Sequence, residues 1–270
     1  MPQRPSRTLS RDDDLIHPSA IVHGGADIAE GVEIGAYAVI GPHVTIGPRC
    51  RIGPHAVITG HTRIGANNRI YQFVSLGEAP QDKKYAGEPT RLEIGENNVI
   101  REFCTFNCGT TQDEGVTRIG DDNWIMAYVH LAHDCRIGSH TVFANNAQLA
   151  GHVHVGDHAI LGGFTVVHQF CHIGAHSITA MGTIVLRDIP PFVVASDNAA
   201  RAYGINVEGL KRRGFTPAST TLLKRDYKTL YKSGLTLEQA RRELARQVAE
   251  CPEVQLILDF LANSKRGIIR

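Results

Sequence analysis

Aliphatic residues recur at every sixth position through the first two-thirds of the chain. Stepping from Ile16 gives Val22, Ile28, Ile34, Ile40, Ile46, Ile52, Ile58, Ile64, Ile70 and Leu76, all Ile, Val or Leu. The position after each is often glycine (Gly35, Gly41, Gly47, Gly53, Gly65, Gly77), and the position four after is mostly small (Ala20, Ala26, Val32, Ala38, Val44, Cys50, Ala56). The phase resumes at Ile94, Ile100 and Phe106, breaks over 107–118, and runs again from Ile119 to Val185. A unit of six is too short for a helix with a buried stripe, but it fits a short strand followed by a turn. Three units close a triangular coil, and such coils stack at strand spacing, about 4.8 Å, with the aliphatic positions inside. Glycine after the strand is expected to relax the backbone at the corner. The interruptions at 78–92 and 107–118 read as loops projecting from the rod, and long loops on a rigid scaffold tend to carry function.

The repeat ends at Pro190-Pro191. Beyond it, Leu222, Leu223, Tyr227, Leu230 and Tyr231 fall at helical spacing, Thr236 with Gln239 forms a capping-box start, and Pro252 opens a further apolar helix. The spacing therefore predicts a mainly β rod over 15–190 followed by a helical domain over 191–270. Residues 1–14 (MPQRPSRTLSRDDD) are polar and charged, and are expected to form a disordered extension.

No apolar run approaches the length of a transmembrane helix, and the first residues lack the apolar region of a secretory signal. A cytoplasmic location, no stable membrane insertion and no nucleic-acid partner are expected. The formal net charge of +1 hides an asymmetry. Residues 1–200 hold 14 basic and 20 acidic side chains, and residues 201–270 hold 14 and 7. A basic tail on an acidic body suits an acidic partner, although a solvated helical surface would look the same.

Four of the six cysteines (Cys50, Cys104, Cys135, Cys171) fall at the small inward position and read as buried fillers. That register also removes Cys135 as a nucleophile, and the absence of a CxxC pair supports neither disulfides nor a structural zinc site. Histidine is the unusual residue, since nine of the 14 lie within 130–176. His140, His158 and His176, and separately His154 and His172, are one coil apart and should stack as outer rows. His130, His133, His152 and His168 should gather on adjacent coils. Imidazole near neutral pH serves as general base or as zinc ligand, and the residues alone leave both open.

The motifs QDKKYAGEP (81–89), HLAHDC (130–135), LAGHVHVGDHAILGG (149–163), VHQFCHIGAH (167–176), NVEGLKRRGF (206–215) and the terminal RGIIR together carry a specific resemblance. Over residues 15–270 the chain resembles the acyl-[acyl-carrier-protein]–UDP-N-acetylglucosamine O-acyltransferases of lipid A synthesis, which belong to the hexapeptide-repeat acyltransferases. The resemblance implies a left-handed parallel β-helix and a homotrimer with sites between neighbouring prisms. It implies transfer of an (R)-3-hydroxyacyl group from acyl carrier protein to the 3-hydroxyl of UDP-N-acetylglucosamine, without metal or other cofactor. On matching positions His133 is the general base, Asp134 its orienting carboxylate and the Gly151 N–H the oxyanion donor. Because neighbours on a strand point to opposite faces, the Asp134 role requires a local turn. Substrate contacts carry over to Gln81, Asp82, Lys84, His130, His152, His168 and Gln169, and uridine and diphosphate contacts to Asn206, Glu208, Arg212 and Arg213. Met181 stands where many relatives using long acyl chains have glycine. It suggests a medium-length donor such as 3-hydroxydecanoyl, unless its side chain packs into the core. Rival readings are a zinc hydratase, a non-catalytic scaffold binding a carrier protein or nucleotide sugar, and the N-acyltransferase acting later in the same pathway.

Overall fold

The computed structural model describes residues 15–270, so the expectation for 1–14 lies outside the described residues. Most hexads form two-residue strands joined by two-residue turns, and these stack in parallel into three sheets that total nine, eight and ten strands, the last count including two strands beyond the hexads. Each strand pairs with the one a full coil away, as in Ile21 with Val39 and Val39 with Val57. The result is a left-handed parallel β-helix, a three-sided prism. Its interior is one continuous core running from Val32 to Ala195, with Ile46, Ile58, Leu76, Phe106, Leu131 and Leu161 fully buried.

The glycines do a different job from the one expected. The corner residues with left-handed φ are mostly not glycine: Asp134 (60°), His152 (60°) and Phe170 (63°) are examples. The repeat glycines lie just before the corner, where the next coil comes too close for a side chain. A Cβ on Gly35 would stand 2.6 Å from the Pro54 nitrogen, and one on Gly53 would stand 2.6 Å from that of Gln72. Glycine is thus selected by stacking distance, and polar or aromatic residues bear the left-handed corners.

The two interruptions are shorter than the periodicity suggested. Ser75–Glu78 and Arg91–Ile94 are strands, as are Thr105–Asn107 and Val116–Ile119. The loop stems lie beside neighbouring coils and pair with them, because backbone groups there would otherwise go unsatisfied. Ile94 pairs with Ile64 and Ile119 with Ile94, so the winding resumes in phase after each excursion.

The sheet also outlasts the hexads. Val193–Ser196 pairs in parallel with Ile178–Thr179, and Arg201–Ile205 closes that edge in an antiparallel hairpin. Strand structure therefore continues past the expected boundary at 191, because the last coil leaves an edge that must be covered. Four helices follow: α1 (Val207–Arg212), α2 (Pro217–Tyr231), α3 (Leu237–Gln247) and α4 (Val254–Asn263). The capping box of Thr236 and Gln239 opens α3 as expected, whereas α1, inside NVEGLKRR, was not anticipated as a helix. Leu210, Leu223, Leu230, Leu244, Val254 and Ile257 form a second core against Phe192. The terminal RGIIR returns to the prism: Ile269 donates to the Asp188 carbonyl, and the Ser264 hydroxyl lies 2.6 Å from the Asp188 carboxylate.

Candidate active site

His133 and Asp134 occupy one turn, between the strand His130–Leu131 of the nine-stranded sheet and Arg136–Ile137 of the eight-stranded sheet. The left-handed φ of Asp134 is the local turn the pair requires, and it folds the carboxylate back beside the imidazole. His133 Nδ1 lies 2.9 Å from Asp134 Oδ2. Asp134 is 1% exposed. Burial alone would raise its pKa, but hydrogen bonds from His133 and from the hydroxyl and backbone N–H of Thr110 outweigh it, and the carboxyl sits below its usual range. An ionised carboxylate only accepts, so the proton between the two resides on Nδ1, and the His133 Nε2 lone pair is left for chemistry.

Two residues of the second inserted segment hold Asp134. Thr110 N–H donates to Oδ1 (2.9 Å) and Thr110 Oγ1 to Oδ2 (2.6 Å), and Thr117 Oγ1 accepts from the Asp134 N–H (2.8 Å). Gly151 lies one coil beyond His133, directly under its ring: a Cβ there would come within 2.6 Å of Nε2 and 3.0 Å of Nδ1. Among the described residues no acceptor pairs with the Gly151 N–H, which leaves it able to serve a ligand at that corner.

The neighbouring imidazoles gather as the stacking requires. The His152 ring meets that of His133 edge-on, with centroids 5.1 Å apart, and its Nε2 is 3.7 Å from Asp134 Oδ2. His130 Nδ1 is 2.7 Å from the Thr105 hydroxyl, and burial, with the nearby His133 charge adding to it, lowers its pKa. Asp82, on the first inserted loop, accepts from the Lys84 N–H at 3.0 Å, and this bond, with a smaller contribution from His133, holds its carboxyl below the usual range. Gln112 bridges to Asp82 at 3.4 Å and ties the two loops together. Gln81 and Lys84 are exposed on that loop, and His168 and Gln169 are exposed one coil past Gly151.

The remaining candidates lie elsewhere on the same chain. Asn206 caps α1, accepting from Gly209 N–H and donating to the His176 carbonyl. Arg213 donates to the His158 carbonyl at 2.7 Å, at the corner between the eight- and ten-stranded sheets, while Glu208 and Arg212 stay exposed beside it. Met181 is 79% exposed at the corner between the ten- and nine-stranded sheets, which rules out core packing. Thr110, Asp113, Thr117, Arg136 and Phe170 line or support the site and were not singled out from sequence. The only signal for the first three was the break in the repeat at 107–118.

His133, Asp134 and His152 also present ligand atoms within 4.8 Å of one another, a donor set that a metal ion could use. Asp134 already accepts from Thr110 and His133 with both oxygens, which suits acid–base work better. Among the described residues no helix is long and apolar enough to cross a membrane.

A prism of hexapeptide coils with a buried carboxylate–imidazole pair at one corner defines a hexapeptide-repeat transferase. The bacterial transferase hexapeptide family matches at 25–60, 43–78 and 117–151, and the second domain of UDP-N-acetylglucosamine O-acyltransferase matches at 188–269. The chain is 64% identical over 203 residues to the acyl-[acyl-carrier-protein]–UDP-N-acetylglucosamine O-acyltransferase of Thiobacillus denitrificans, covering 75% of this chain and 79% of the relative. With the enzyme of that name from Neisseria gonorrhoeae it shares 56% over 204 residues, covering 76% and 79%. The solved structure of LpxA from Acinetobacter baumannii superposes with a TM-score of 0.93 at 49% identity, over 95% of this chain and all of the other. The chain belongs to the family of acyl-[acyl-carrier-protein]–UDP-N-acetylglucosamine O-acyltransferases, and it is an acyltransferase.

Proposed function

We propose that this chain transfers a 3-hydroxyacyl group from acyl carrier protein to the 3-hydroxyl of UDP-N-acetylglucosamine, the first step of lipid A synthesis, with His133 as general base. The observation that carries this reading is the His133–Asp134 pair seated over Gly151. His133 Nε2 takes the proton of the sugar hydroxyl as its oxygen attacks the thioester carbonyl carbon. The Gly151 N–H stabilises the oxyanion that forms. Asp134 holds the ring tautomer and stabilises the imidazolium. When the intermediate collapses, the C–S bond breaks and the imidazolium returns its proton to the departing carrier thiolate.

The reading includes a homotrimer. Tyr37, His55, Phe73, Phe103 and Tyr128 stack as an exposed ladder on the corner between the nine- and ten-stranded sheets. Exposed Trp124 and Val166 flank it on the two adjoining faces. A contiguous apolar ridge of this kind supports association. With three ridges on a common axis, the nine-stranded face of one prism meets the ten-stranded face of the next. The His133 corner then adjoins the neighbour's Arg212–Arg213 corner, and the two half-sites close on one nucleotide sugar. Arginine forks suit the diphosphate, and the basic tail suits the acidic carrier. Met181 stands at the inner end of the same cleft and shortens it, which favours a 3-hydroxydecanoyl-like donor. Cytoplasmic location fits both substrates.

The test is a coupled assay with UDP-N-acetylglucosamine and a panel of 3-hydroxyacyl carrier proteins. His133→Ala is expected to lose at least about a thousandfold in turnover while remaining folded. Retained turnover would remove the base, and turnover abolished by a chelator would favour the metal reading of His133, Asp134 and His152.

A further inference from the structure

The second inserted segment does more than hold Asp134. Asp113 reaches back across the corner and uses its two oxygens separately. Oδ1 accepts from Arg136 Nη2 at 2.9 Å, and Oδ2 lies 3.1 Å from His152 Nδ1. With one partner on each oxygen the carboxylate plane is fixed. Burial opposes its ionisation, but the His152 hydrogen bond and the Arg136 charge prevail and hold its pKa below the usual range. His152 is nearly buried and stacks on Phe170, with centroids 4.3 Å apart and planes 10° from parallel. Stacking fixes the plane of an imidazole, but a ring flipped by a half-turn stacks equally well, since this torsion is broad and nearly two-fold. Only a directional bond distinguishes the two faces of the choice. The Asp113 contact does so, turning Nδ1 outward to the loop and Nε2 inward, 3.7 Å from Asp134 Oδ2 and edge-on to His133.

We propose that Asp113 is a positioning residue for acyl transfer, acting through His152: it selects the ring orientation that places Nε2 in the His133–Asp134 corner. The inference rests on the reading of His133 as base. It predicts a loss in the chemical step, because a misplaced polar group at the reacting corner costs transition-state stabilisation more than ground-state binding.

The experiment compares Asp113→Ala, Asp113→Asn and His133→Ala as full-length proteins, measuring kcat, KM for UDP-N-acetylglucosamine and melting temperature. Asp113→Ala should lower kcat about tenfold to a hundredfold with KM within about twofold. Asp113→Asn keeps an oxygen facing Nδ1, and should recover most of that loss although it weakens the Arg136 pair. Wild-type kcat in Asp113→Ala would overturn the proposal. So would equal losses in the Ala and Asn variants accompanied by equal falls in melting temperature, the pattern of simple loop anchoring. His133→Ala separates the two claims: if it stays active, the reading of the site fails, whereas an inactive His133→Ala beside a fully active Asp113→Ala refutes only the positioning role.

Discussion

A single hydrogen atom at Gly151 decides whether His133 can lie where it does. Gly151→Ala would place a methyl group against the imidazole, and the ring must swing away from Asp134 to escape it. The expected outcome is a loss in kcat of about tenfold to a hundredfold with little change in melting temperature, read by steady-state kinetics beside thermal denaturation. Residue chemistry at this corner was legible in part. The run HLAHDC and a glycine one coil later follow the period, so His133, Asp134 and Gly151 could be placed together before any coordinates. Thr110, Asp113 and Thr117 could not, because they lie in a segment outside the hexad phase and no repeat relates them to residue 134. The period also misassigned the glycines, because strand spacing along a sequence does not reveal how near the next coil's backbone will come.

At the scale of elements, the histidine rows join the prism to the helices. His140, His158 and His176 stack with centroids 4.8 Å apart, and the row continues onto Phe192, which belongs to the helical core. His154 and His172 form a second row ending against Phe260 of α4. Spacing alone gave both rows, but not the fact that the helices partly cover their ends. Burial, then the charge of His158 and Arg213, lowers the pKa of His176 to about 4, and burial, then His172 and Arg136, lowers that of His154 to about 4. The unfolded chain, with histidine near 6.5, binds more protons over that window than the folded one. Stability is therefore fully present above about pH 6.5 and falls as pH drops toward 4. His176→Phe, extending the Phe192 stack, should flatten the fall between pH 7 and pH 5 in denaturant titrations; an unchanged slope would contradict the assignment.

Asp226 in α2 works with the opposite sign. It is fully buried, its two oxygens have no hydrogen-bond partner among the described residues, and burial raises its pKa to about 6. A carboxyl whose folded pKa is raised contributes stability only while protonated, and that contribution fades as pH rises through about 6. Asp226→Asn should stabilise the protein by about 1–3 kcal/mol at pH 8 and much less at pH 4.5, as read by thermal denaturation at the two pH values.

At the scale of the whole molecule, the sequence makes the rod plain and leaves its partners implicit. One chain carries His133 on one corner and Arg212 and Arg213 on another, so in the proposed trimer each chain would supply halves of two different sites. Donor choice belongs to this scale as well. In the proposed trimer, exposed Met181 would close the inner end of the cleft between copies, and four unburied methylenes cost about 3 kcal/mol. Met181→Gly should therefore raise activity on a 3-hydroxymyristoyl carrier relative to the 3-hydroxydecanoyl one; no gain on the longer donor would remove Met181 as the gauge. The account as a whole is tested most directly by subunit mixing. His133→Ala and Arg212→Glu chains, each crippled alone at low nucleotide sugar, are unfolded together and refolded in equal amounts. If every site pairs His133 of one chain with Arg212 of its neighbour, each mixed trimer regains one intact site and the mixture recovers about a quarter of wild-type turnover. A mixture that stays as inactive as its parents would show that the site is not shared in this way.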